Sequence, residues 1–261
     1  MPSATDRGLR GAAWPRLLAH RGLHGAGRPE NGLSAFAAAI AGGFGIECDV
    51  QPAGDGTVMV FHDDTLARMT GHPSRIRDLP AAELAGLRLH GLEAIPTLAD
   101  LLALTAGRVP LLIEIKDQSG DLSAGDDGFV AGIVAGLRDY AGPVALMSFN
   151  PDLAAEARRL RPDLPVGLVT CGFAADDWPA VPEARRTYLR RIADFDRVGA
   201  DFISHDRGDL ANPAVTALKA RGVPVATWTI RNPLQAAAAR AQGADFLTFE
   251  SWLPQASEID A

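Results

Sequence analysis

The sequence predicts an α/β protein folded as a (β/α)8 TIM barrel. Eight short apolar runs recur along the chain, and patterns typical of amphipathic helices lie between them. Alternating strands and helices favour a parallel sheet, and 261 residues suit a single barrel domain. A doubly wound open sheet fits the same alternation because sequence does not show whether a sheet closes, but the count of eight favours the barrel.

The predicted strands are rich in Val, Ile, Leu and Phe and are bounded by glycine, proline or polar residues. In GIECDV (45–50) and LLIEIK (111–116), charged residues interrupt the apolar pattern near the end of the strand. A parallel barrel places its active face at these strand ends. The eight strands cover residues 17–20, 45–50, 111–116, 143–148, 165–170, 200–204, 224–229 and 244–249.

Seven helices are predicted between the strands from apolar periodicity and capping residues. Asn212-Pro213 and Asn232-Pro233 each place an N-cap asparagine before a proline suited to the first helical turn. Glycines follow several of these segments, where they commonly end a helix. The helices cover residues 32–42, 97–106, 127–139, 151–160, 183–198, 212–221 and 232–241.

One segment departs from the alternation of strands and helices. TVMVFHDD (57–64) follows the turn sequence QPAGDG (51–56) and is typical of a hairpin arm. We therefore expect one domain over residues 1–261, with an insertion at about 50–96 after the second strand. The acidic stretch DQSGDLSAGDDG (117–128) is predicted to be a loop at the carboxyl end of a strand.

Composition excludes several functional classes. The formal net charge is -7 and no block of basic residues is present, which argues against non-specific nucleic-acid binding. Cys48 and Cys171 are too few for a disulfide framework, which favours a reducing compartment. No apolar run suits a signal peptide or a membrane helix. We therefore expect a cytoplasmic protein with no stable membrane anchor.

Three carboxylates lie inside predicted strands. Glu47 and Asp49 share one face of a strand, with Cα atoms about 7 Å apart, while Cys48 faces the helices. Glu114 shares a face with Lys116 on the next barrel strand. Buried carboxylates are costly unless they are paired or bind a metal. A salt-bridge network explains any one of them equally well, but the three together favour a hard cation, Mg²⁺ or Ca²⁺.

Histidines and cations also occur at strand ends. His20 ends the first strand and His62 ends the hairpin arm, so both are candidate proton donors or acceptors. Arg21 suits a phosphate group or an ion pair with Glu30, and Lys116 suits phosphate or neutralisation of Glu114. The remaining histidines are interpreted as loop or surface residues without a partner, although ISHD (203–206) also ends a strand: His24, His72, His90 and His205.

The chain resembles the glycerophosphodiester phosphodiesterase family. The resemblance spans residues 17 to about 250, and the motifs are specific through their order and their placement on strands rather than singly. They are His20-Arg21-Gly22, Pro29-Glu30-Asn31, Glu47-Cys48-Asp49, His62-Asp63, Glu114-Ile115-Lys116 and Val225-Ala226-Thr227-Trp228-Thr229.

The resemblance implies a (β/α)8 barrel with an insertion after the second strand, a divalent cation and specific residue roles. Glu47, Asp49 and Glu114 would bind the cation. His20 and His62 would be the acid/base pair. The phosphate would be contacted by Arg21 and supported by Lys116, and Trp228 would line the pocket for the alcohol, although packing at the barrel rim explains it almost as well.

Two positions depart from the family pattern. Gly32 replaces the usual threonine after Pro-Glu-Asn, which should cost little at an N-cap, with Ser34 compensating and Asn31 capping the helix. The last strand ends in Phe249-Glu250-Ser251 rather than in Thr-Asp or Thr-Asn, so the alcohol that the pocket prefers is not determined.

The predicted activity is hydrolysis of a small-molecule glycerophosphodiester to an alcohol and glycerol 3-phosphate. A lysophospholipase D or sphingomyelinase D-like activity on lipid head groups is an alternative, because the loop at 173–186 offers Phe173 and Trp178 as an apolar approach. The same loop also fits a lid or a packed segment. A non-catalytic metabolite-binding barrel would be expected to lack a histidine or a carboxylate, and none is missing.

Overall fold

The computed structural model of the chain describes Leu9, residues 14–123, Gly125 and residues 128–254. Most of the N-terminal segment, for which we predict no signal peptide, lies outside these residues. Residues 124, 126 and 127 of the predicted acidic loop also lie outside them. None of the helices in the described part of the chain is long and apolar enough to cross a bilayer.

Eleven strands and ten α-helices are found in the described residues. The strands are β1 (Leu17–Ala19), β2 (Gly45–Pro52), β3 (Val58–Val60), β4 (Arg88–Leu89), β5 (Glu93–Ala94), β6 (Leu111–Ile115), β7 (Val144–Ser148), β8 (Val166–Thr170), β9 (Phe202–Asp206), β10 (Val225–Ile230) and β11 (Phe246–Phe249). The helices are α1 (Leu33–Ala41), α2 (Ala67–Thr70), α3 (Ala81–Leu84), α4 (Leu98–Thr105), α5 (Phe129–Gly136), α6 (Pro151–Leu160), α7 (Glu183–Arg190), α8 (Phe195–Val198), α9 (Pro213–Ala220) and α10 (Pro233–Ala241).

Eight of the strands close into a parallel barrel. Their order is β1, β2, β6, β7, β8, β9, β10 and β11, and β1 pairs with both β2 and β11. Leu18 of β1 lies level with Gly45 on one side and with Thr248 on the other. This closure confirms the (β/α)8 TIM barrel and rejects the open sheet.

The barrel has one apolar core inside the strands and another between strands and helices. Inside, Leu18, Leu112, Phe202 and Phe246 fill the barrel below its carboxyl ends. At Gly167, a side chain would overlap the Phe202 ring, so this glycine makes room for an aromatic residue in the interior. Outside, the alternate residues of each strand pack under the helices. Side chains at the carboxyl ends of the strands lie beyond this inner core, so they can line a site.

The N-caps predicted at the two Asn-Pro pairs are confirmed, but one predicted helix is wrong. Asn212 accepts a hydrogen bond from the backbone amide of Ala214 at 2.9 Å, with Pro213 in the first turn. The predicted helix 183–198 is broken into α7 and α8, and residues 191–194 form a turn between them. The buried apolar residues in this region recur at every third position: Leu189, Ile192, Phe195 and Val198. An α-helix repeats every 3.6 residues, so one continuous helix would not keep residues with this spacing on a single face.

The segment between β2 and α4 lies outside the alternation of the barrel. Here β3 pairs antiparallel with β2, with Val50 opposite Val60, and the hairpin places the chain beside the barrel mouth. The segment that follows includes α2, α3, β4 and β5 and has its own apolar cluster, which includes Phe61, Leu66 and Met69. It delivers the residues after β3 to the same end of the barrel as the carboxyl ends of β1 and β2.

Candidate active site

A cavity of about 230 Å³ lies at the carboxyl ends of the barrel strands. Its charged half is lined by His20, Arg21, Glu47, Asp49, His62, Glu114 and Lys116, from β2, β6 and the residues after β1, β3 and β6, and Arg231, which follows β10, also lines the cavity. Its neutral half is lined by Met147, Phe149, Val169, Ser204, Trp228, Thr229 and Thr248, from β7 to β11 and the residue after β7. All eight residues that the sequence singles out for a site line this one cavity.

The three predicted carboxylates project together into the charged half. One carboxylate oxygen from each of the three residues lies within 4.8 Å of the other two, and the three residues are buried. The register of the parallel pair β2 and β6 places Asp49 directly opposite Glu114. Glu47 shares the inward face of β2 with Asp49, whereas Cys48 packs in the outer core. Strand periodicity therefore brings together residues that are far apart in the sequence.

The electrostatics of this acidic trio, Glu47, Asp49 and Glu114, suit a cation. Burial raises the pKa of Glu47 well above its usual range, and the charges of Asp49 and Glu114 raise it further. Burial alone would also raise the pKa of Asp49, but neighbouring cationic groups, His62 and Lys116 foremost, outweigh burial and hold it low. A divalent cation with oxygen ligands would relieve the repulsion among these carboxylates, so the donor set fits Mg²⁺ or Ca²⁺.

Two cationic side chains lie against the trio. Lys116 Nζ donates to Glu114 Oε1 at 2.8 Å and lies 3.4 Å from Asp49 Oδ1. Arg21 Nε lies 3.4 Å from Asp49 Oδ2, and its Nη1 donates to Glu30 Oε1 at 2.6 Å. Both ion pairs considered as alternatives to phosphate contacts are therefore formed, and both cations still line the cavity.

His20 is held from both ends of its imidazole ring. Its Nδ1 lies 2.5 Å from Glu250 Oε2, and its Nε2 lies 4.0 Å from Glu47 Oε2. Burial lowers the pKa of His20, although the hydrogen bond to Glu250 opposes that shift. The interpretation of His24 as a residue without a partner is wrong, because its Nε2 lies 3.5 Å from Glu250 Oε2. The loop that follows β1 folds His24 back toward the end of β11.

His62 is positioned through the backbone and through a neighbouring ion-pair network. Gln51 of β2 donates from Nε2 to the carbonyls of His62 and Asp63, at 2.8 and 2.7 Å. His62 Nδ1 lies 2.7 Å from Asp63 Oδ1. Arg68 bridges Asp63 and Glu30, with its closest contact to each at 2.6 Å. The loop after β1 and the segment after β3 are thus tied to each other beside the cavity.

The turn after β1 depends on Gly22. This residue has a φ of +78°, and a Cβ atom there would lie 2.9 Å from the carbonyl carbon of Ala35 and from Cδ1 of Phe36. Gly22 allows the chain to turn against α1 directly after Arg21, which also has a positive φ of 54°. The His-Arg-Gly sequence therefore ends the strand and directs two side chains into the cavity.

The prediction that Asn31 caps α1 is wrong. Asn31 instead donates from Nδ2 to Asp49 Oδ2 at 2.9 Å and so supports the trio. Gly32 is the N-cap residue and has no side chain to cap the helix. Glu93 lies where a side chain at Gly32 would project, and its carboxylate accepts from the Ser34 amide at 3.1 Å and from the Ser34 hydroxyl at 2.5 Å. A carboxylate at a helix N-terminus also complements the helix dipole.

The neutral half has an aromatic wall. Trp228 lines the cavity, and its indole Nε1 donates to the backbone carbonyl of Ser204 at 3.1 Å. The Phe149 ring packs edge-on against Trp228 with centroids 5.7 Å apart, and it packs at a tilt against Trp178 with centroids 4.9 Å apart. Phe173 is buried against the same rings, so the loop at 173–186 is packed in place rather than forming an exposed apolar approach.

Residues on opposite faces of β9 have different roles. The interpretation of His205 as a loop or surface residue is wrong, because it is fully buried and its Nδ1 lies 2.7 Å from Thr170 Oγ1. The neighbouring Ser204 faces the cavity, as does Thr248 of β11, and sequence reasoning singled out neither. His72, within the segment after β3, does not line the cavity.

This arrangement suits chemistry on an anionic phosphodiester. Arginine and lysine donors lie beside carboxylate oxygens whose arrangement suits a cation, and both side chains can neutralise phosphate oxygens as charge develops. Two imidazoles line the same cavity, so one can accept a proton while the other donates one.

Comparison with known proteins agrees with this geometry. The family model of the glycerophosphoryl diester phosphodiesterase family matches residues 20–251. The chain is 31% identical over 168 residues to a glycerophosphodiester phosphodiesterase of Caldanaerobacter subterraneus subsp. tengcongensis, with 60% of this chain and 68% of that protein covered. It is 26% identical over 238 residues to YhdW of Bacillus subtilis, with 88% and 91% covered.

A solved structure shares both the fold and part of the sequence. It is an Oleispira antarctica phosphodiesterase in complex with the product sn-glycerol-3-phosphate, and it superposes with a TM-score of 0.76 at 27% identity. The match covers 95% of this chain and 97% of the Oleispira chain. With the barrel, the site and the family model in agreement, the chain belongs to the glycerophosphoryl diester phosphodiesterase family of phosphoric diester hydrolases.

Proposed function

We propose that this enzyme hydrolyses glycerophosphodiesters to an alcohol and glycerol 3-phosphate, using one divalent cation, Mg²⁺ or Ca²⁺. In this proposal Glu47, Asp49 and Glu114 hold the cation, and His20 and His62 transfer protons. The observation that carries it is the joint placement of the acidic trio and both histidines around one cavity. The product bound in the Oleispira structure supports glycerol 3-phosphate as the product.

Phosphate binding falls to the charged half. The bound cation would supply Lewis-acid stabilisation of the negative charge on the phosphate oxygens. Arg21 presents a planar set of N–H donors for the same oxygens, and Glu30 fixes its orientation. Lys116 lies against Glu114 and Asp49 and lends a further positive charge. Glu47 accepts a hydrogen bond from the Arg21 backbone amide at 3.1 Å, which ties the loop to the trio.

Proton transfer falls to the two histidines. One imidazole removes the proton of the attacking hydroxyl as its oxygen bonds to phosphorus. The other imidazole gives a proton to the alcohol oxygen as the bond from phosphorus to that oxygen breaks. Glu250 orients His20 through Nδ1, which directs Nε2 toward the trio, and Asp63 holds Nδ1 of His62.

Two nucleophiles satisfy this scheme. Water gives glycerol 3-phosphate in one step, whereas the neighbouring glycerol 2-hydroxyl gives a 1,2-cyclic phosphate that water then opens. Phosphorus NMR during turnover distinguishes them, because the cyclic phosphate has its own resonance and accumulates when its hydrolysis is slow.

The proposed function is tested by a screen of metal-dependent turnover. The enzyme is treated with a chelator, reloaded with Mg²⁺ or Ca²⁺, and assayed on glycerophosphocholine, glycerophosphoethanolamine and lysophosphatidylcholine. We expect release of glycerol 3-phosphate from the glycerophosphodiesters, loss with chelator and recovery with metal. Turnover confined to lysophosphatidylcholine would favour the lysophospholipase D-like activity, and binding without turnover would favour a metabolite-binding barrel.

The location of the enzyme is a separate proposal. We propose that it works in the cytoplasm, supported by Cys48 and Cys171, which are both free and buried. Reduced cysteines are typical of that compartment. Fractionation of cells that express the chain, with a cytoplasmic marker enzyme as control, tests this location.

A further inference from the structure

Two hydroxyl groups in the neutral half have no hydrogen-bond partner in the part of the chain that the structure describes. Ser204 of β9 and Thr248 of β11 are each 1% exposed, and both line the cavity. Among the described residues, no group pairs with Ser204 Oγ or Thr248 Oγ1. Buried polar atoms are normally paired, so hydroxyls left free at the wall of a cavity indicate a ligand group that pairs with them.

Other buried hydroxyls of the barrel behave differently. Thr227 Oγ1 donates to the carbonyl of His205 at 2.7 Å, and Ser148 Oγ donates to the carbonyl of Ile115 at 2.7 Å. Neither Thr227 nor Ser148 lines the cavity. Within the ranges that the structure describes, the buried hydroxyls without a partner are therefore those of Ser204 and Thr248, and both face the site, which separates them from hydroxyls with a structural role.

The surroundings of these hydroxyls define the chemistry of the ligand. Met147 and Val169, which also line this half, are apolar and buried, and the half-exposed Arg231 is paired with Glu250, so the wall beside the hydroxyls offers apolar contact and neutral hydrogen bonds rather than charge. A hydroxyl of the ligand can donate a hydrogen bond to one of these groups and accept one from the other. The carbon atoms that carry this hydroxyl can pack against the apolar side chains. An alcohol hydroxyl fits this wall better than a charged group does.

We propose that Ser204 and Thr248 form a subsite for the terminal hydroxyl of the glycerol half of the substrate. This proposal rests on the proposed function. The glycerol then occupies the buried part of the cavity between these hydroxyls and the acidic trio. The departing alcohol extends toward the partly exposed Trp228 and Phe149 at the rim. The enzyme is thus specific for the glycerol half of the substrate, and the rim of the cavity accepts several alcohols.

The matched pair of substrates for the test is glycerophosphocholine and the phosphocholine diester of 1,2-propanediol. The second compound lacks only the terminal hydroxyl and keeps the 2-hydroxyl, so either nucleophile remains available. We expect the native enzyme to prefer the glycerol diester in kcat/KM by about tenfold, the effect of one neutral hydrogen bond.

Single variants S204A and T248V and the double variant remove the hydroxyls with little change in shape. We expect the double variant to reduce the preference to about twofold or less, because its kcat/KM falls more for the glycerol diester than for the propanediol diester. T227V is the control, since it removes a paired hydroxyl from the strand between β9 and β11, and we expect it to keep the native preference.

Several outcomes would refute the subsite, and one outcome would also refute the proposed function. A native enzyme without preference, or a double variant with the full native preference, refutes the subsite while the proposed function stands. Absence of turnover on both diesters refutes the proposed function itself. Calorimetric binding of glycerol 3-phosphate and of 1,2-propanediol 1-phosphate repeats the comparison without turnover, and equal loss of affinity for both in S204A also refutes the subsite.

Discussion

The charged and neutral halves of the cavity differ in how their side chains are held. In the charged half, single side chains have several polar partners: Asp49 lies against Asn31, Arg21 and Lys116. In the neutral half, Phe149 and Trp228 are held by ring contacts, and Ser204 has no polar side-chain partner among the described residues. One half is organised by charge and the other by shape.

We expect this difference to make the charged half responsible for the reaction rate and the neutral half responsible for substrate affinity. Charge develops on the phosphate and on the leaving oxygen in the transition state, so groups fixed beside them lower the barrier. Apolar and hydroxyl groups contact parts of the substrate that do not react, so they chiefly set affinity. We therefore expect substitutions in the charged half to lower kcat and substitutions in the neutral half to raise KM.

The largest effect is expected at the histidines. H20A and H62A should each lower kcat by about 10²–10⁴-fold, the usual contribution of a general acid or base, while the fold is retained. H72A is the control, because His72 does not line the cavity. Near-native turnover by either purified histidine variant would remove that residue from the mechanism.

Removal of one carboxylate of the trio should lower activity through the cation. E47Q should reduce kcat by about 100-fold, with partial recovery at high Mg²⁺ or Ca²⁺, since metal binding supplies several kcal/mol of transition-state stabilisation. The raised pKa of Glu47 means that its charge is costly in the metal-free fold. The melting temperature of E47Q without metal should therefore equal or exceed that of the native protein. Added metal should raise the melting temperature of E47Q by less than it raises that of the native protein.

E156Q, on α6 and outside the cavity lining, is the control for that experiment, and it should leave both the metal response and activity unchanged. A full response of E47Q to metal, in melting temperature and in turnover, would place the cation away from the trio. Loss of stability in E47Q without metal would show that the charge of Glu47 supports the fold.

Glu250 is expected to act as a positioning residue for His20, with a smaller effect. E250A should lower kcat by about 10–100-fold with KM within about twofold, since misplacement of a reacting group by 1 Å can cost 100-fold. E250Q keeps an acceptor for Nδ1 and should recover part of the loss. H24A, which removes another partner of Glu250 at 3.5 Å and lies outside the cavity lining, is the control. Equal losses in E250A and H24A, or a change confined to thermal stability, would contradict positioning.

The neutral half should respond weakly. W228F keeps an aromatic ring but removes the indole donor to the carbonyl of Ser204. We expect KM for glycerophosphocholine to rise about two- to fivefold with kcat nearly unchanged, in line with the loss of one hydrogen bond. A fall in kcat comparable to that of H20A would break the division between the two halves.

The smallest effect concerns stability. Arg68 and Arg21 overcome the effect of burial and lower the pKa of Glu30 to about 2 from 4.5. Because the folded pKa lies below the unfolded one, this stabilisation is present above about pH 4.5 and is lost as the pH falls toward 2. Arg68 is half-exposed, so R68A should cost only about 1 kcal/mol at pH 7.

Urea unfolding at pH 7 and at pH 3.5 measures the R68A effect, and the difference from the native protein should shrink at the lower pH. R159A, at an exposed pair within one helix, is the control and should cost less at both pH values. A difference that grows at low pH would mean that Arg68 stabilises the fold without Glu30.

The sequence predicted the charged half well because its residues obey strand periodicity. In β2 the alternation of Glu47, Cys48 and Asp49 assigns each side chain to a face, and the parallel register then brings Asp49 opposite Glu114. The barrel itself followed from eight apolar runs and the helices between them. Patterns of this kind are predictable because they depend only on residues that are close together in the sequence.

Contacts between distant loops could not be predicted in the same way. Glu250 was visible only as a departure at the end of the last strand, and its contact with His20 joins residues 230 positions apart. Glu93 reaches the N-terminus of α1 from the segment after β3, which no local pattern indicates. Ser204 looked like any serine in a strand, because the absence of a partner is a property of the folded cavity.

The most direct test of the division between the halves is a crystal structure of the enzyme grown with Ca²⁺. We expect one calcium ion bound by carboxylate oxygens of Glu47, Asp49 and Glu114 at about 2.3–2.6 Å, on the charged half of the cavity. Calcium bound elsewhere, with the three carboxylates held by Arg21 and Lys116 alone, would contradict a metal centre on these strands and the mechanism built on it.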